Sequence, residues 1–247
     1  MRLDIVFTPL GLTNTETAGR TVFVIDILRA TTTMCAALAH GARALIPAGS
    51  TEEALKLKLT LGNDVLLAGE HNCERIPGFD LGNSPLEVTP DAVRGKTVIM
   101  RTTNGTRALL GVQGAAAIYP VAAANISVAG QKALEVLERD QDLLILCAGR
   151  ENAFSLDDAY CAGRLAVAAM GGRRRAKGLN DAGLASLDLV RRYGDRWERP
   201  LRASRAGREL VKLNMEADVV DAARPNAYPV LVQYQERRVT LVRPPHD

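Results

Sequence analysis

Aromatic side chains are scarce: four Phe, five Tyr and one Trp, 4% of 247 residues. Proteins that grip single-stranded nucleic acid stack bases on such rings, so that function class loses its usual platform. No apolar run approaches the roughly 18–20 residues needed to cross a bilayer as a helix. The opening MRLDIVFTPLG has too short an apolar core for a secretory signal, and Asp4 interrupts it. These two absences lead to the expectation of a cytoplasmic protein with no membrane partner. Cys35, Cys73, Cys147 and Cys161 show no CxxC spacing, and in such a compartment they read as reduced thiols. His40, His71 and His246 are scattered, without HxH or HExxH spacing, which argues against a histidine zinc site.

What is present is ordinary globular material, 47% hydrophobic and 24% charged. The net charge of +3 hides an asymmetry. From Arg164 to Arg208 there are 11 Arg and one Lys against four acids, a local +8 that leaves the rest of the chain at −5. Such a patch could meet nucleic acid or another anionic partner. With few aromatics and no nucleic-acid-binding motif, a solvated helical surface is the favoured reading.

Over the first 170 residues apolar β-branched runs alternate with helical segments. Strands are expected at Leu3–Phe7, Thr21–Ile27, Ala42–Pro47, Val65–Ala68, Lys96–Met100, Ala115–Val121 and Leu143–Cys147. Helices are expected at Thr32–His40, after Ser50, at Arg107–Val112, at Asn125–Arg139 and after Ser155. Ser50 with Glu53 makes a capping box, and Gly62-Asn63 closes that helix. This alternation implies an α/β fold, a three-layer α/β/α sandwich on a largely parallel sheet. Beyond Gly172 the pattern turns helical and arginine-rich, at Asp181–Tyr193 and Arg202–Leu213. A hairpin comes last, at Val230–Tyr234 and Val239–Val242. No linker stands out, so residues 1–247 read as one domain, with about 172–247 as a C-terminal helical and hairpin elaboration. Glu70 to Pro85 is the longest irregular segment, and Ile76, Phe79 and Leu81 within it point to an ordered, packed loop.

Four strand ends break into polar loops: Asp26 with Arg29, Thr31, Thr32 and Thr33; Glu70; Thr102, Thr103, Asn104, Gly105 and Thr106; and Gly149-Arg150-Glu151 leading to Asp157. In a parallel sheet all four tips would share one edge, where such folds bind ligands. Helix N-termini offer free N–H groups to an anion, and a guanidinium such as that of Arg29 offers a fork of donors. Asp26 and Glu70 suit a hard cation such as Mg²⁺, which takes few carboxylates and several waters. The magnitudes favour a metal: phosphate-monoester hydrolysis requires acceleration of up to ~10²¹-fold, whereas a helix N-terminus contributes ~0.3–2 kcal/mol. Read singly, each tip has a plainer explanation. Thr102 to Thr106 serves equally as a capped turn, and Asp157 and Asp158 equally as acids complementing a helix dipole. Together they indicate an anion site assisted by a metal.

The stretches VIDILRATTTM (24–34), IPGFDLGNSP (76–85), RTTNGTRAL (101–109) and CAGRENAFSLDDAYCAG (147–163) resemble the 2-phosphosulfolactate phosphatase family, in the same order and over nearly the whole chain. The resemblance implies an α/β/α sandwich and Mg²⁺-dependent hydrolysis of (2R)-2-phospho-3-sulfolactate to 3-sulfolactate and phosphate, a step of coenzyme M biosynthesis in methanogens. His71-Asn72-Cys73-Glu74 stands where the family is more often glycine-rich or basic. On this reading Asp26, Arg29, Glu70 and Asn104 are the candidate catalytic residues. Thr31, Thr32, Thr33, Arg75, Asn83, Ser84, Thr102, Thr103, Gly105, Thr106 and Arg150 are candidates for binding a small anionic phosphate ester. Asp26, Glu70 and Asp157 are candidates for holding Mg²⁺. Asp26 either holds the metal or attacks phosphorus. It resembles the strand-end aspartate of haloacid-dehalogenase-type phosphatases, but the second acid required two residues later is Leu28 here. Two alternatives stay open: another phosphorylated hydroxy acid as substrate, and a non-catalytic phospho-acid-binding protein on the same scaffold. A homodimer is a further expectation for an enzyme of this size.

Overall fold

The fold is that of a computed structural model, which describes residues 2–62, 64–112, 114–171 and 178–242. Asn63, His246 and residues 172–177 of the arginine-rich stretch lie outside the described residues. In chain order the first half runs β1 (Leu3–Val6), α1 (Asn14–Thr17), β2 (Thr21–Ile25), α2 (Ala30–Ala39), β3 (Ala44–Pro47), α3 (Thr51–Leu61), β4 (Val65–His71), β5 (Glu74–Arg75), α4 (Pro90–Val93), β6 (Thr97–Arg101) and α5 (Gly105–Leu110). The second runs β7 (Ala117–Val121), α6 (Ile126–Glu138), β8 (Leu143–Cys147), α7 (Leu156–Ala169), α8 (Asp181–Tyr193), α9 (Glu198–Ala203), α10 (Arg205–Lys212), α11 (Glu216–Ala222), β9 (Val232–Gln235) and β10 (Arg238–Leu241).

The ten strands form one mostly parallel sheet with helices on both sides, the expected α/β class. Its order is β1-β8-β2-β7-β9-β10-β3-β6-β4-β5. All five residues of β2 are buried, as befits a central parallel strand covered on both faces. Ile25 lies level with Cys147 of β8 and Val121 of β7.

The C-terminal hairpin does not decorate this sheet; it joins it. β1, β8, β2 and β7 pair in parallel, and so do β3, β6 and β4. β9 and β10 stand between the two sets, antiparallel to each other, to β7 and to β3. Through these pairings the two parallel sets run in opposite senses, so their tips do not share an edge by simple alignment. A sheet twists by about 20–25° between neighbours, and over the strands from β2 to β6 this turns the second set far round against the first. The carboxyl ends of both sets then open on one cavity.

Three local expectations change. The segment after Glu70 is not wholly irregular: β4 continues to His71 and turns back through β5, pairing Glu70 with Arg75 and His71 with Glu74. Ile76 and Phe79 are buried in a small cluster with Leu67 and Ile99, which pins the rest of the loop. The expected helix from Arg202 is broken at Ser204, whose Oγ caps α10 by accepting from Gly207 N. The helix α11 carries no clear sequence signal. Among the described residues no helix is long and apolar enough to cross a membrane.

The arginine-rich stretch is largely paired where it is described. Arg164 lies over the Trp197 ring and meets Asp195. Arg191 meets Asp188, Arg202 meets Glu198 and Glu216, and Arg205 meets Glu151 and Glu209.

Candidate active site

The turn from β2 into α2 is tied by its own threonines. Asp26 N–H donates to Thr31 Oγ1 (3.1 Å), and the same hydroxyl donates to Asp26 O (2.8 Å). Thr32 Oγ1 donates to Ile27 O (2.8 Å) and Thr33 Oγ1 to Asn83 O (3.0 Å). All three threonines are buried. The pattern alone suggests that these hydroxyls bind substrate; the structure gives them to the backbone, because a sharp buried turn needs partners for its carbonyls.

The turn from β6 into α5 uses the same device. Thr102 N–H donates to Thr106 Oγ1 (3.2 Å), Thr106 Oγ1 donates to Thr102 O (2.8 Å), and Thr106 N–H donates to Thr102 Oγ1 (3.0 Å). Thr102 and Thr106 are therefore also turn-formers rather than ligand groups. Gly105 is required by proximity: a Cβ there would lie 2.5 Å from Ala30 Cβ and 2.6 Å from Asp26 Oδ2. Only glycine lets α5 begin against Asp26, so Gly105 shapes the site through its lack of a side chain.

These turns face a small polar cavity. Asp26, Arg29, Glu70, Asn83, Thr103, Asn104 and Arg150, all foreseen from the sequence, line it. So do Leu28, Asn72, Cys73 and Glu151. Three side chains on its wall keep a buried polar atom with no hydrogen-bond partner: Asn83 Oδ1, Thr103 Oγ1 and Arg150 Nε. Buried polar atoms are nearly always paired, so unpaired ones gathered on one cavity mark a place for a polar ligand.

Asp26 is 8% exposed. Burial, followed by the charges of Glu70 and Asp157, pushes its carboxyl up to about 7. The N–H groups of Ala30 and Gly105 pull the other way and are outweighed. Glu70 is held from two sides, Oε2 accepting from Cys73 N (2.8 Å) and Oε1 from Thr103 N (2.7 Å). It thus joins the β4–β5 hairpin to the β6 turn. Asn104 Oδ1 accepts from Glu151 N (3.2 Å).

Two arginines reach the cavity, each held by an acid from the C-terminal helices. Arg29 Nη1 pairs with Asp218 of α11 at 2.5 Å, and its Nη2 donates to Cys73 O at 2.7 Å. Arg150 Nη2 pairs with Glu209 of α10 and lies 4.0 Å from Cys73 Sγ.

Several expected residues stand elsewhere. Arg75 is exposed, donating to Asp80 O (3.4 Å), and lines a separate groove with His71 and Arg101, because β5 turns it outward. Ser84 faces away from the cavity lining and donates to Asp218 Oδ1 (2.6 Å). Asp157 is buried behind Asp26 and accepts from the Ser155 hydroxyl; burial pushes its carboxyl up as well. Asp158 serves structure: it accepts from Ile27 N (2.9 Å) and Gly149 N (3.0 Å), clamping the tips of β2 and β8 together. Burial first, then Asp157 and Asp26, push its carboxyl far up. Among the described residues no group of three or more His, Cys, Asp or Glu side chains is placed to hold a metal, so Asp26, Glu70 and Asp157 do not close into one ligand set. Of these three, Asp26 and Glu70 line the cavity and Asp157 does not. Asp218 and Glu209 were not foreseen: Asp218 lies 189 residues from Arg29, in a helix with no clear sequence signal.

The family model for 2-phosphosulpholactate phosphatase matches residues 6–237. A protein of Symbiobacterium thermophilum is 40% identical over 228 residues, covering 92% of this chain and 96% of its own. One from Carboxydothermus hydrogenoformans is 35% identical over 243 residues, covering 98% and 97%. One from Deinococcus radiodurans is 41% identical over 204 residues, covering 81% and 82%. Each bears the name "Probable 2-phosphosulfolactate phosphatase". With a family match across nearly its whole length, at the segments that build the cavity, this chain belongs to the 2-phosphosulpholactate phosphatase family.

Proposed function

We propose that the protein is a cytoplasmic phosphoric monoester hydrolase that removes phosphate from 2-phospho-3-sulfolactate, giving 3-sulfolactate. The observation that carries this reading is the cavity itself. A buried carboxyl held near 7 faces two arginines and a set of unpaired polar atoms. The proposed substrate has a phosphate, a sulfonate and a carboxylate, and it calls for a small, polar, cation-rich site of this kind.

The donor set fits magnesium. Mg²⁺ takes one or two carboxylates and completes its shell with water and substrate phosphate, and Asp26 and Glu70 face one cavity. These two residues would hold the ion, which when bound supplies neutralisation of phosphoryl charge. Asp157, buried behind, raises the electrostatic cost of an uncompensated Asp26 carboxylate and so favours a cation there.

The remaining work falls to the chain. Arg29 and Arg150 give donors to anionic oxygens. The Thr103 hydroxyl and the Asn83 amide fix orientation. Without a cation, burial, Glu70 and Asp157 push the Asp26 carboxyl up to about 7; a bound cation would relieve that cost and hold Asp26 as the carboxylate. The enclosing walls exclude bulk water and strengthen each of these interactions.

The test is phosphate release from a panel of phosphorylated 2-hydroxy acids that includes phosphosulfolactate, with and without Mg²⁺. Turnover of phosphosulfolactate above the others, lost on chelation, is the expected outcome. Binding without turnover across the panel would reduce the protein to a phospho-acid-binding scaffold. Turnover that survives full chelation would remove the metal from the mechanism.

A further inference from the structure

We infer that Asp218 is the positioning residue for Arg29, so that the C-terminal helix α11 is a working part of the cavity. The inference rests on reading this cavity as the phosphatase site. Arg29 stands on the β2 turn and would be free to swing if left to itself, since a long side chain has many rotamers. Instead both outer nitrogens of its guanidinium are occupied. Nη1 meets Asp218 Oδ2 at 2.5 Å and Nη2 donates to Cys73 O at 2.7 Å. Asp218 is itself fixed, because its second oxygen accepts from Ser84 Oγ at 2.6 Å. Arg29 and Asp218 are 4% exposed each. The chain Ser84–Asp218–Arg29–Cys73 carbonyl therefore sets the plane of the guanidinium and turns one face of it to the cavity.

The second cavity arginine is held differently. Arg150 pairs with Glu209, whose side chain is 32% exposed and is shared with Arg205. Its Nε is buried without a partner. Only Arg29 has a carboxylate that pairs with no second arginine.

The test is a double-mutant cycle in phosphate release, using the substrate the wild type turns over best. Asp218→Asn retains an oxygen that accepts from Arg29 but loses the charge. It is expected to lower kcat on the order of 10- to 100-fold, the worth of a charge-assisted hydrogen bond. KM stays within about threefold, because orientation matters most at the transition state. In an Arg29→Ala background the same substitution is expected to change kcat less than twofold. Costs that simply add in the double variant, or wild-type kcat in Asp218→Asn, would overturn the inference. Breaking a buried pair can unfold a protein, so Ser84→Ala is the milder arm. It leaves both charges in place and is expected to lower kcat a few-fold, with a smaller drop in melting temperature than Asp218→Asn. Wild-type turnover in Ser84→Ala, with Asp218→Asn unfolded, also overturns it. If the wild type releases no phosphate from any ester, the phosphatase reading fails by itself. The positioning claim is then read from inorganic phosphate binding by calorimetry, expected to be at least fivefold weaker in Ser84→Ala and in Asp218→Asn. Unchanged binding in both would overturn it.

Discussion

The β2–α2 turn and the β6–α5 turn solve one backbone problem in one way and put different chemistry on the solution. In each, the N–H and the C=O of the first residue beyond the strand are bound by a single threonine hydroxyl from the helix, Thr31 for Asp26 and Thr106 for Thr102. The first turn then presents charge, Asp26 and Arg29. The second presents neutral groups, Thr103 and Asn104. They come from parallel strand sets that run in opposite senses and meet only because the hairpin joins the sets. The comparison teaches that the threonines make the turns and the residues beside them make the site.

The largest effect is expected at the charged turn. Asp26→Asn should lower phosphate release by at least ~10³-fold, beyond the 10²–10⁴ range only if it loses more than proton transfer; near-normal turnover would remove Asp26 from the mechanism. The same variant has a stability signature in metal-free protein. The carboxyl titrates near 3.8 when free and near 7 when folded, so between those values the folded state binds more protons. Its contribution to stability is then fully present below about pH 4 and is lost as pH rises through about 7, a difference of roughly 4 kcal/mol. Asn does not titrate. The melting temperature of Asp26→Asn minus that of the wild type should therefore be larger at pH 8 than at pH 5. A difference that is flat in pH would show that the carboxyl is not held up.

Gly105→Ala comes next, because it strikes where the two turns touch. The added methyl would meet Ala30 and the Asp26 carboxylate, so the helices must part. Overpacking of this kind costs about 1–3 kcal/mol. Activity is expected to fall on the order of 10²-fold through misplacement of Asp26, and wild-type activity would show that α5 can shift at no cost to the site.

Thr31→Val and Thr106→Val test whether the turns are truly alike. Each takes the threonine hydroxyl from a buried N–H, that of Asp26 or that of Thr102, and each should cost about 1–3 kcal/mol in denaturant unfolding. Their stabilities should fall together. Their activities should not: Thr31→Val loosens the catalytic carboxyl itself, and Thr106→Val only its neutral neighbours. Equal losses of kcat would mean that the neutral turn carries as much of the chemistry.

The same contrast explains how much was legible in the sequence. Strands such as Thr21–Ile25 and Leu143–Cys147 announce themselves by continuous apolar runs. The polar residues after them mark the cavity wall, because the sheet itself places the residues just past a buried strand's carboxyl end. Which of those polar residues face the ligand was not legible. Thr31 and Thr103 have the same side chain and the same kind of position, and only the path of the backbone turns one hydroxyl inward and leaves the other open. The hairpin's place between the two strand sets was hidden too, since its pairing partners lie more than 100 residues away, Tyr234 opposite Ile118 and Val239 opposite Leu45, and leave no local pattern. Asp218 was hidden for the same reason.

Thr103 is therefore the sharpest test of the comparison, although its effect is the smallest. Its hydroxyl is buried and has no partner, so removing it should not destabilise the fold as removing the Thr106 hydroxyl does. Replacing an unsatisfied polar group by an apolar one of the same shape is nearly neutral or stabilising. Thr103→Val should melt within about 0.5 kcal/mol of the wild type, or above it, while KM for the phosphate ester rises on the order of 10-fold. Thr103→Ser should restore KM. If Thr103→Val instead destabilised the protein and left KM unchanged, the hydroxyl would belong to the turn, and the division between threonines that build and threonines that bind would fail at the residue where it is clearest.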